Sequence, residues 1–321
     1  MSPKRPSALR AWLELLRAPN LLSVPGDPLV GVALAVQTAP PQVWAAAGAA
    51  SVLLYAAGLV QNDWADRRAD ATERPERPIP SGRIRPGAAL AAWAGLFALG
   101  LASAGLAGLW TLATGAVLAA AICTYNLLTK RRPVAGPVNM GLCRALSVCV
   151  GLAAGAEAAG ARGAWPGAPR PWLGLTPMHL IPAGLIGAYV AALTAVAQGE
   201  ARKRRVGWIR NLPACMVAFA VVPAVADAAG DPPPVGEAWN YWASLAALLA
   251  ALAWSGGCAI RLGLARSPRE VQRNVGRLIR GLMLLQAWLL LAAGAPGMYI
   301  GFGVILAFLA AGPLGRRFAP S

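Results

Sequence analysis

Three oxygen-bearing side chains recur every four residues in the stretch Asn62-Asp63-Trp64-Ala65-Asp66-Arg67-Arg68-Ala69-Asp70. Asn62, Asp66 and Asp70 are each about one helical turn apart, so a helix presents all three on one face. They stand at the end of an apolar run that reads as membrane-spanning. Carboxylates at membrane depth are expensive and mark function. Two carboxylates and an amide on one stripe are hard oxygen donors of the kind Mg²⁺ takes, and Mg²⁺ commonly bridges such groups to substrate phosphates. Asp63 reads as lying on a different face, away from a first ligand position. The plain alternative is a solvated loop in which Asp66 and Asp70 pair with Arg67, Arg68 or Arg74.

Composition says what scaffold holds this stripe. The chain of 321 residues is 57% hydrophobic and only 13% charged, against about 25% charged in a soluble domain. Apolar segments fall at approximately 20–36, 43–61, 88–107, 109–128, 136–155, 179–198, 211–228, 239–260, 278–293 and 297–313. Runs of this length predict an all-α, polytopic membrane bundle of 9–10 transmembrane helices around a central cavity. A soluble Ala- and Leu-rich helical protein is the bland alternative. No set of segments alternates with period two, so a β-barrel is not expected.

The net charge of +16 is sorted by topology. Of the 29 Lys and Arg residues, 26 fall in the N-terminus, the alternate loops after the second, fourth, sixth and eighth segments, and the C-terminus. Arg162 and Arg170 fall on the other side, and Arg144 lies inside a span. Such asymmetry places the basic side in the cytoplasm. Both termini and the Asp-rich stretch are therefore expected there, in a multi-pass protein of the plasma (inner) membrane. Topology and anionic lipid account for the charge, so no nucleic-acid partner is called for. The first apolar run leads into further spans and reads as a span itself, not as a cleavable signal peptide.

Three regions are expected: a cytoplasmic N-terminal interfacial helix over 1–19, one transmembrane domain over 20–313, and a cytoplasmic tail over 314–321. In the first span Asn20 and Asp27 are seven residues apart and share a face, while Pro25 and Pro28 bracket Asp27 and predict a kink. The stretch Asp63–Pro86 reads as the longest polar cytoplasmic loop, and 157–178 as an irregular outer loop. Ser267-Pro268-Arg269-Glu270 predicts a helix start with a capping box. The five cysteines, Cys123, Cys143, Cys149, Cys215 and Cys258, lie in apolar spans without metal-ligand spacing and read as packing residues. His179 reads as interfacial.

The motif resembles that of the UbiA superfamily of intramembrane prenyltransferases. The resemblance rests on Asn62-x₃-Asp66-x₃-Asp70 followed by Arg77-Pro78-Ile79-Pro80-Ser81-Gly82-Arg83-Ile84. Tyr125-Asn126-Leu127-Leu128-Thr129-Lys130-Arg131, then Gly136, Asn139 and Arg144, is similar to the family's region around the fourth and fifth helices. Arg17-Ala18-Pro19-Asn20 is similar to its approach to the first helix, and the whole resembles the EboC-like branch. The resemblance implies a helical bundle in which aspartates of two motifs hold Mg²⁺ on a polyprenyl diphosphate. The prenyl group then passes to an aromatic or other lipophilic acceptor. Partners are thus a prenyl diphosphate, an acceptor and membrane lipid; nothing bears on the oligomeric state.

Within that frame the residues take roles. Ionising an allylic diphosphate needs its charge neutralised, best in a water-poor site. Asp66 and Asp70 are the expected metal ligands, with Asn62 a ligand or an orienting donor. Lys130 meets phosphate as a point charge, and Tyr125 bonds the diphosphate or faces the developing cation. Arg77 and Arg83 close the cytoplasmic mouth. Arg144 either meets an anion or pairs with Asp27 or another acid, because a buried unpaired charge is costly; Asp27 is that partner, or it lines the acceptor side. Asn20 and Asn139 complete the expected substrate-binding set.

The second motif departs from the family. After the sixth segment the chain reads Thr194-Ala195-Val196-Ala197-Gln198-Gly199-Glu200-Ala201-Arg202-Lys203-Arg204-Arg205, with one acid and no Asp pair. Gln198 and Thr194 stand where the two acids belong, beside Glu200. Either one Mg²⁺ works together with arginines, or the protein is a non-catalytic lipid or isoprenoid carrier that keeps the anion site.

Overall fold

A computed structural model describes residues 8–36, 38–161, 176–201, 207–229 and 238–318. Among them the regular structure is helical throughout. The elements are α1 (Ala8–Leu15), α2 (Ala18–Leu21), α3 (Gly26–Ala35), α4 (Pro41–Glu73), α5 (Pro86–Ala107), α6 (Leu109–Thr124), a π-turn (Tyr125–Thr129) and α7 (Ala135–Ala161). There follow α8 (Pro177–Ala201), a 3₁₀ turn (Gly207–Asn211), α9 (Leu212–Ala229), α10 (Ala238–Leu264), α11 (Pro268–Ala292) and α12 (Gly297–Phe318).

Eight of these helices are long and apolar enough to cross a membrane, which makes the protein an integral multi-pass membrane protein. Two of the ten expected segments are shorter apolar helices, Gly26–Ala35 and Gly297–Pro313. The first is short because the chain breaks over residues 22–25, just ahead of Asp27 and Pro28 in the first turn of α3, leaving α2 and α3 separated by a turn. The expected kink is thus a full interruption. Irregular backbone of this kind persists in a membrane protein only where protein or a cavity surrounds it.

The Asp63–Pro86 stretch corrects the loop reading. Residues 63–73 continue α4, and the chain turns only at Arg74, just before Pro75. Ala, Arg and Glu are good helix formers, and polarity alone does not end a helix. Helix α4 has 33 residues, about 50 Å at 1.5 Å per residue, against a hydrocarbon core of about 30 Å. Its last turns therefore stand clear of the apolar layer. At the other end of the bundle α7 runs on to Ala161, into what read as the outer loop; residues 162–175 lie outside the described set.

Helix α3 lies against α7 at backbone-contact distance. A Cβ at Gly151 would sit 1.9 Å from the Pro28 carbonyl oxygen, and one at Gly31 2.1 Å from that of Val148. Small residues allow this close approach, the usual means of packing helices in lipid. The largest core joins α3, α7, α8, α10 and α11 through Val30, Val148, Ile186, Tyr189, Leu248 and Leu285. Helix α1 turns part of its apolar face to protein. Ala11 and Leu15 are buried against Val60, Ile79, Ile84 and Ala89. At the C-terminus α12 continues through Phe318, so the expected 314–321 tail begins as helix. Ser267 caps α11 by accepting from Glu270 N–H at 3.4 Å, while Glu270 accepts from Arg266 N–H at 2.8 Å, one residue earlier than a capping box.

Candidate functional site

The C-terminal turns of α4, the π-turn and the Arg17 corner meet around one cavity. It lies between α4, α6, α7 and the chain from Arg17 to Val24. Arg17 and Asn62 stand at one end; Ser51 and Ser147, hydrogen-bonded at 3.1 Å and buried, stand at the other. Asn62 and Ser51 are eleven residues apart on α4, roughly 16 Å by helical rise. The walls between are largely apolar, with Leu59, Leu118, Ile122 and Met140, joined by Tyr55, Tyr125 and Cys143.

At the mouth the acids divide into two groups. Lys130 Nζ lies 2.7 Å from Asp66 Oδ1 and 3.3 Å from Asn62 Oδ1. Arg131 joins Asp66 at 3.4 Å. Asp70 faces elsewhere. Its Oδ2 accepts from Arg77 at 2.8 Å, and the same guanidinium reaches Asp63 Oδ1 at 3.4 Å. Arg17 reaches Asp63 Oδ1 from the other side at 3.5 Å. Asp63 thus stays off the Asn62–Asp66 face, and it is Asp70 that departs from the expected stripe. At about 100° per residue, each four-residue step drifts roughly 40°, so Asp70 stands about 80° from Asn62 but about 20° from Asp63. Both Asp63 and Asp70 are buried, and they share Arg77.

The π-turn carries the other wall. Asn126 is buried in it and donates to Gly58 O at 2.9 Å and to Gln61 Oε1 at 2.8 Å, fixing the turn to α4. Asn139, expected to touch substrate, braces the turn instead. In the orientation that satisfies both ends of its amide, the nitrogen donates to Ala121 O at 3.2 Å and the oxygen accepts from Tyr125 N–H at 3.1 Å. A π-turn widens the backbone ladder, and a polar side chain filling that gap is a common companion of functional sites. Lys130 follows directly on this turn and so is aimed at α4.

Three expected residues sit apart from the mouth. Asp27 is fully buried, and Arg144 lines the cavity wall while its Nε meets Asp27 Oδ2 at 2.8 Å. Gln286 of α11 adds a hydrogen bond to Asp27 Oδ1 at 2.6 Å and one to Ser23 O at 2.9 Å. Of the two alternatives for Arg144, the structure adopts the ion pair. Asn20 lies in the short α2, half-buried, its backbone carbonyl bonded by Ser23 Oγ. Gln198 turns its amide to the chain after the π-turn, donating to Lys130 O at 2.9 Å. Thr194 bonds back to Val190 O. The Glu200 side chain and residues 202–206 lie outside the described residues. Arg83 pairs with Glu14 of α1 and bonds Glu76 O, holding α1 against the 74–85 segment.

Sequence reasoning missed Arg17, Asp63, Tyr55 and Asn126 as members of the site. Seven-residue spacing links Asp63 to Asp70 and Tyr55 to Asn62, a signal that was present. An amide inside an apolar run was the signal for Asn126. Arg17 figured only as the opening of the Arg17–Asn20 motif; it takes the left-handed conformation at φ 46°, uncommon for a residue with a Cβ.

The donor set can be tested for Mg²⁺. Among the described residues no three His, Cys, Asp or Glu side chains gather into a self-sufficient metal cage. Mg²⁺ needs none where one or two carboxylates act together with water and substrate phosphate. Asn62 and Asp66 fit that kind of site: their oxygens already flank a single cationic group, the Lys130 ammonium.

The description "UbiA prenyltransferase family" matches this chain over residues 28–274. The protein belongs to the UbiA prenyltransferase family. Among its curated relatives, a digeranylgeranylglyceryl phosphate synthase of Ignicoccus hospitalis is 36% identical over 152 residues, 47% of this chain and 50% of the relative. Another of that description, from Natronomonas pharaonis, is 34% identical over 128 residues, 40% of this chain and 46% of the relative. The chain thus spans about half the length of the curated relatives it matches. Among solved structures, a UbiA homologue from Archaeoglobus fulgidus bound to DMAPP and Mg²⁺ superposes with a TM-score of 0.58 at 18% identity, covering 92% of this chain and 99% of that one. The UbiA fold is shared over nearly the whole described bundle.

Proposed function

We propose that this UbiA-family protein transfers a prenyl group from a polyprenyl diphosphate to a lipophilic acceptor at the cytoplasmic face of the plasma (inner) membrane. One observation carries the reading: Asn62 lines a largely apolar cavity, and there it shares the Lys130 ammonium with Asp66, one turn further along α4. That polarity matches a molecule with an anionic head and a hydrocarbon tail. The relatives described as synthases of digeranylgeranylglyceryl phosphate, and a neighbour bound to DMAPP and Mg²⁺, support it.

Asn62 and Asp66 are the residues that would hold Mg²⁺. When bound, the ion supplies positive charge to the departing diphosphate oxygens. Lys130 adds a second positive charge to the same oxygens as the C–O bond lengthens. Arg17, which lines the same cavity as Asn62, brings a further positive charge to that end. The rings of Tyr55 and Tyr125 line the space just below the mouth, where their faces steady the allylic cation. The apolar walls keep water from capturing it. Asp63, Asp70 and Arg77 set the α4 terminus against the corner at Arg17.

The test is direct. Purified protein with Mg²⁺ is incubated with geranylgeranyl or farnesyl diphosphate and a panel of lipophilic acceptors, including glyceryl phosphate lipids. Released diphosphate and a prenylated product are expected; tight donor binding with no release across the panel would assign the protein to lipid carriage instead.

A further inference from the structure

The residue that stands where the family's second acidic motif belongs makes hydrogen bonds that a carboxylate could not make. Gln198 Nε2 donates to Lys130 O at 2.9 Å and reaches Arg132 O at 3.4 Å. Both partners are carbonyls, so the contact needs the N–H end of the amide, and this fixes its orientation. Gly136 makes room for it: a Cβ there would sit 2.6 Å from Gln198 Nε2. The chain held in this way begins at Lys130, whose ammonium lies against Asp66 and Asn62. Helix α8 thus reaches α4 through one amide, one turn of backbone and one lysine.

We propose that Gln198 is a positioning residue that holds the Lys130 ammonium on Asn62 and Asp66, so that a side-chain cation stands on the face of the diphosphate site where a second acidic motif would have gathered metal. This rests on the reading of the mouth as a diphosphate site. A donor amide suits the task and a carboxylate does not, because a carboxylate faces two carbonyl oxygens with no proton to share. A short backbone segment pinned at Lys130 O, Arg132 O and, through Asn139, at Tyr125 N–H leaves the lysine side chain few ways to swing out. The Lys130 side chain is accordingly only 15% exposed.

Substitution by glutamate separates positioning from metal binding, because Gln198→Glu keeps the shape and supplies the very ligand an acidic motif would have. Two readouts are taken on full-length protein in detergent. The first is the rate at which an amine-acylating reagent labels Lys130, followed by mass spectrometry without donor. The second is the affinity for geranylgeranyl diphosphate in EDTA, where the lysine acts without metal. Gln198→Glu and Gln198→Ala are both expected to speed Lys130 labelling at least threefold and to weaken donor binding about tenfold, a change of about 1.4 kcal/mol. Gly136→Ala, which displaces the amide while leaving Gln198 in place, is expected to do the same, and adding Gln198→Ala to it should change little more. Wild-type labelling in Gln198→Glu, with tighter Mg²⁺ binding by calorimetry, would overturn the proposal in favour of a ligand role. Labelling is read without donor, so it answers for Gln198 by itself. Failure of the wild type to bind the diphosphate would count against the reading of the site, not against the anchoring of Lys130.

Discussion

The protein contains two acid–cation clusters of opposite character. One, at the cavity mouth, sets Asp66 and Asn62 against Lys130, with Asp63, Asp70, Arg77 and Arg17 beside them. The other, Asp27 with Arg144 and Gln286, is buried among α3, α7 and α11. At the mouth, Lys130, Arg131, Arg77 and Arg17 share Asp66, Asp63 and Asp70; Asp66 and the cations keep some exposure, Asp63 and Asp70 are buried, and under the proposed function a phosphate can replace a carboxylate as partner. In the interior a single acid meets a single arginine, and Gln286 and the Ser23 carbonyl take up further bonds. Neither member of that pair can leave without stranding the other charge. The same residue types therefore serve recognition in one place and cohesion in the other, and what separates them is burial and the supply of alternative partners.

The interior cluster is the place to break this contrast hardest. Asp27→Ala strands Arg144, and a loss of about 3–5 kcal/mol in stability is expected, seen as a collapse of the thermal midpoint in detergent. Replacing both, Asp27→Leu with Arg144→Met, should recover most of that loss, because the cost is the uncompensated charge and not the missing attraction. If the double variant is as unstable as Asp27→Ala, the pair is not the self-contained brace described here. At the mouth the expected result is the reverse. Lys130→Ala should leave the thermal midpoint near that of the wild type while diphosphate release falls. Loss of one charge-assisted contact costs about 1.5–3 kcal/mol, or about tenfold to a hundredfold in rate.

Smaller effects sharpen the boundary between the clusters. Asn126→Ala leaves the Gly58 carbonyl and Gln61 without their donor, at about 1–3 kcal/mol of stability. Its rate effect should follow from a loosened π-turn, so donor affinity and thermal midpoint should fall together, unlike in Lys130→Ala. Smallest is Glu157→Ala. Glu157 caps α6 by accepting from the backbone N–H groups of Trp110 and Thr111 at 2.9 and 3.0 Å. Its loss should cost about 1 kcal/mol in thermal unfolding and leave donor affinity untouched.

The division between clusters was only partly legible in the sequence. Apolar length gave the bundle, and Pro25 and Pro28 signalled a kink close to where the first span breaks outright, over residues 22–25. The four-residue recurrence of Asn62, Asp66 and Asp70 pointed to the site. It overstated how far the three act together, because the drift of a real helix pairs Asp70 with Asp63. Polarity made a loop of residues 63–73, where good helix formers run on to Arg74. The π-turn at Tyr125–Thr129 left no mark in hydropathy, since its apolar residues simply continue α6. Arg144 was recognised as a buried charge needing a partner, and Asp27 was one of the candidates. That Gln286 completes the set depends on contact across 259 residues of chain, which no local pattern encodes. Gln198 was named from the sequence, but the bonds of its amide were not legible there: the N–H end meets backbone carbonyls, and a sequence does not show which end of an amide is used.

One paired measurement tests the division most directly: thermal midpoint and Mg²⁺-dependent diphosphate release from geranylgeranyl diphosphate, read on the same preparations of wild type and Asp66→Asn. The asparagine keeps the size and removes the charge. The account predicts a thermal midpoint unchanged within what a partly exposed ion pair contributes, about 1 kcal/mol, with release reduced at least about a hundredfold. Wild-type release by Asp66→Asn, or unfolding in step with the loss of release, would contradict it.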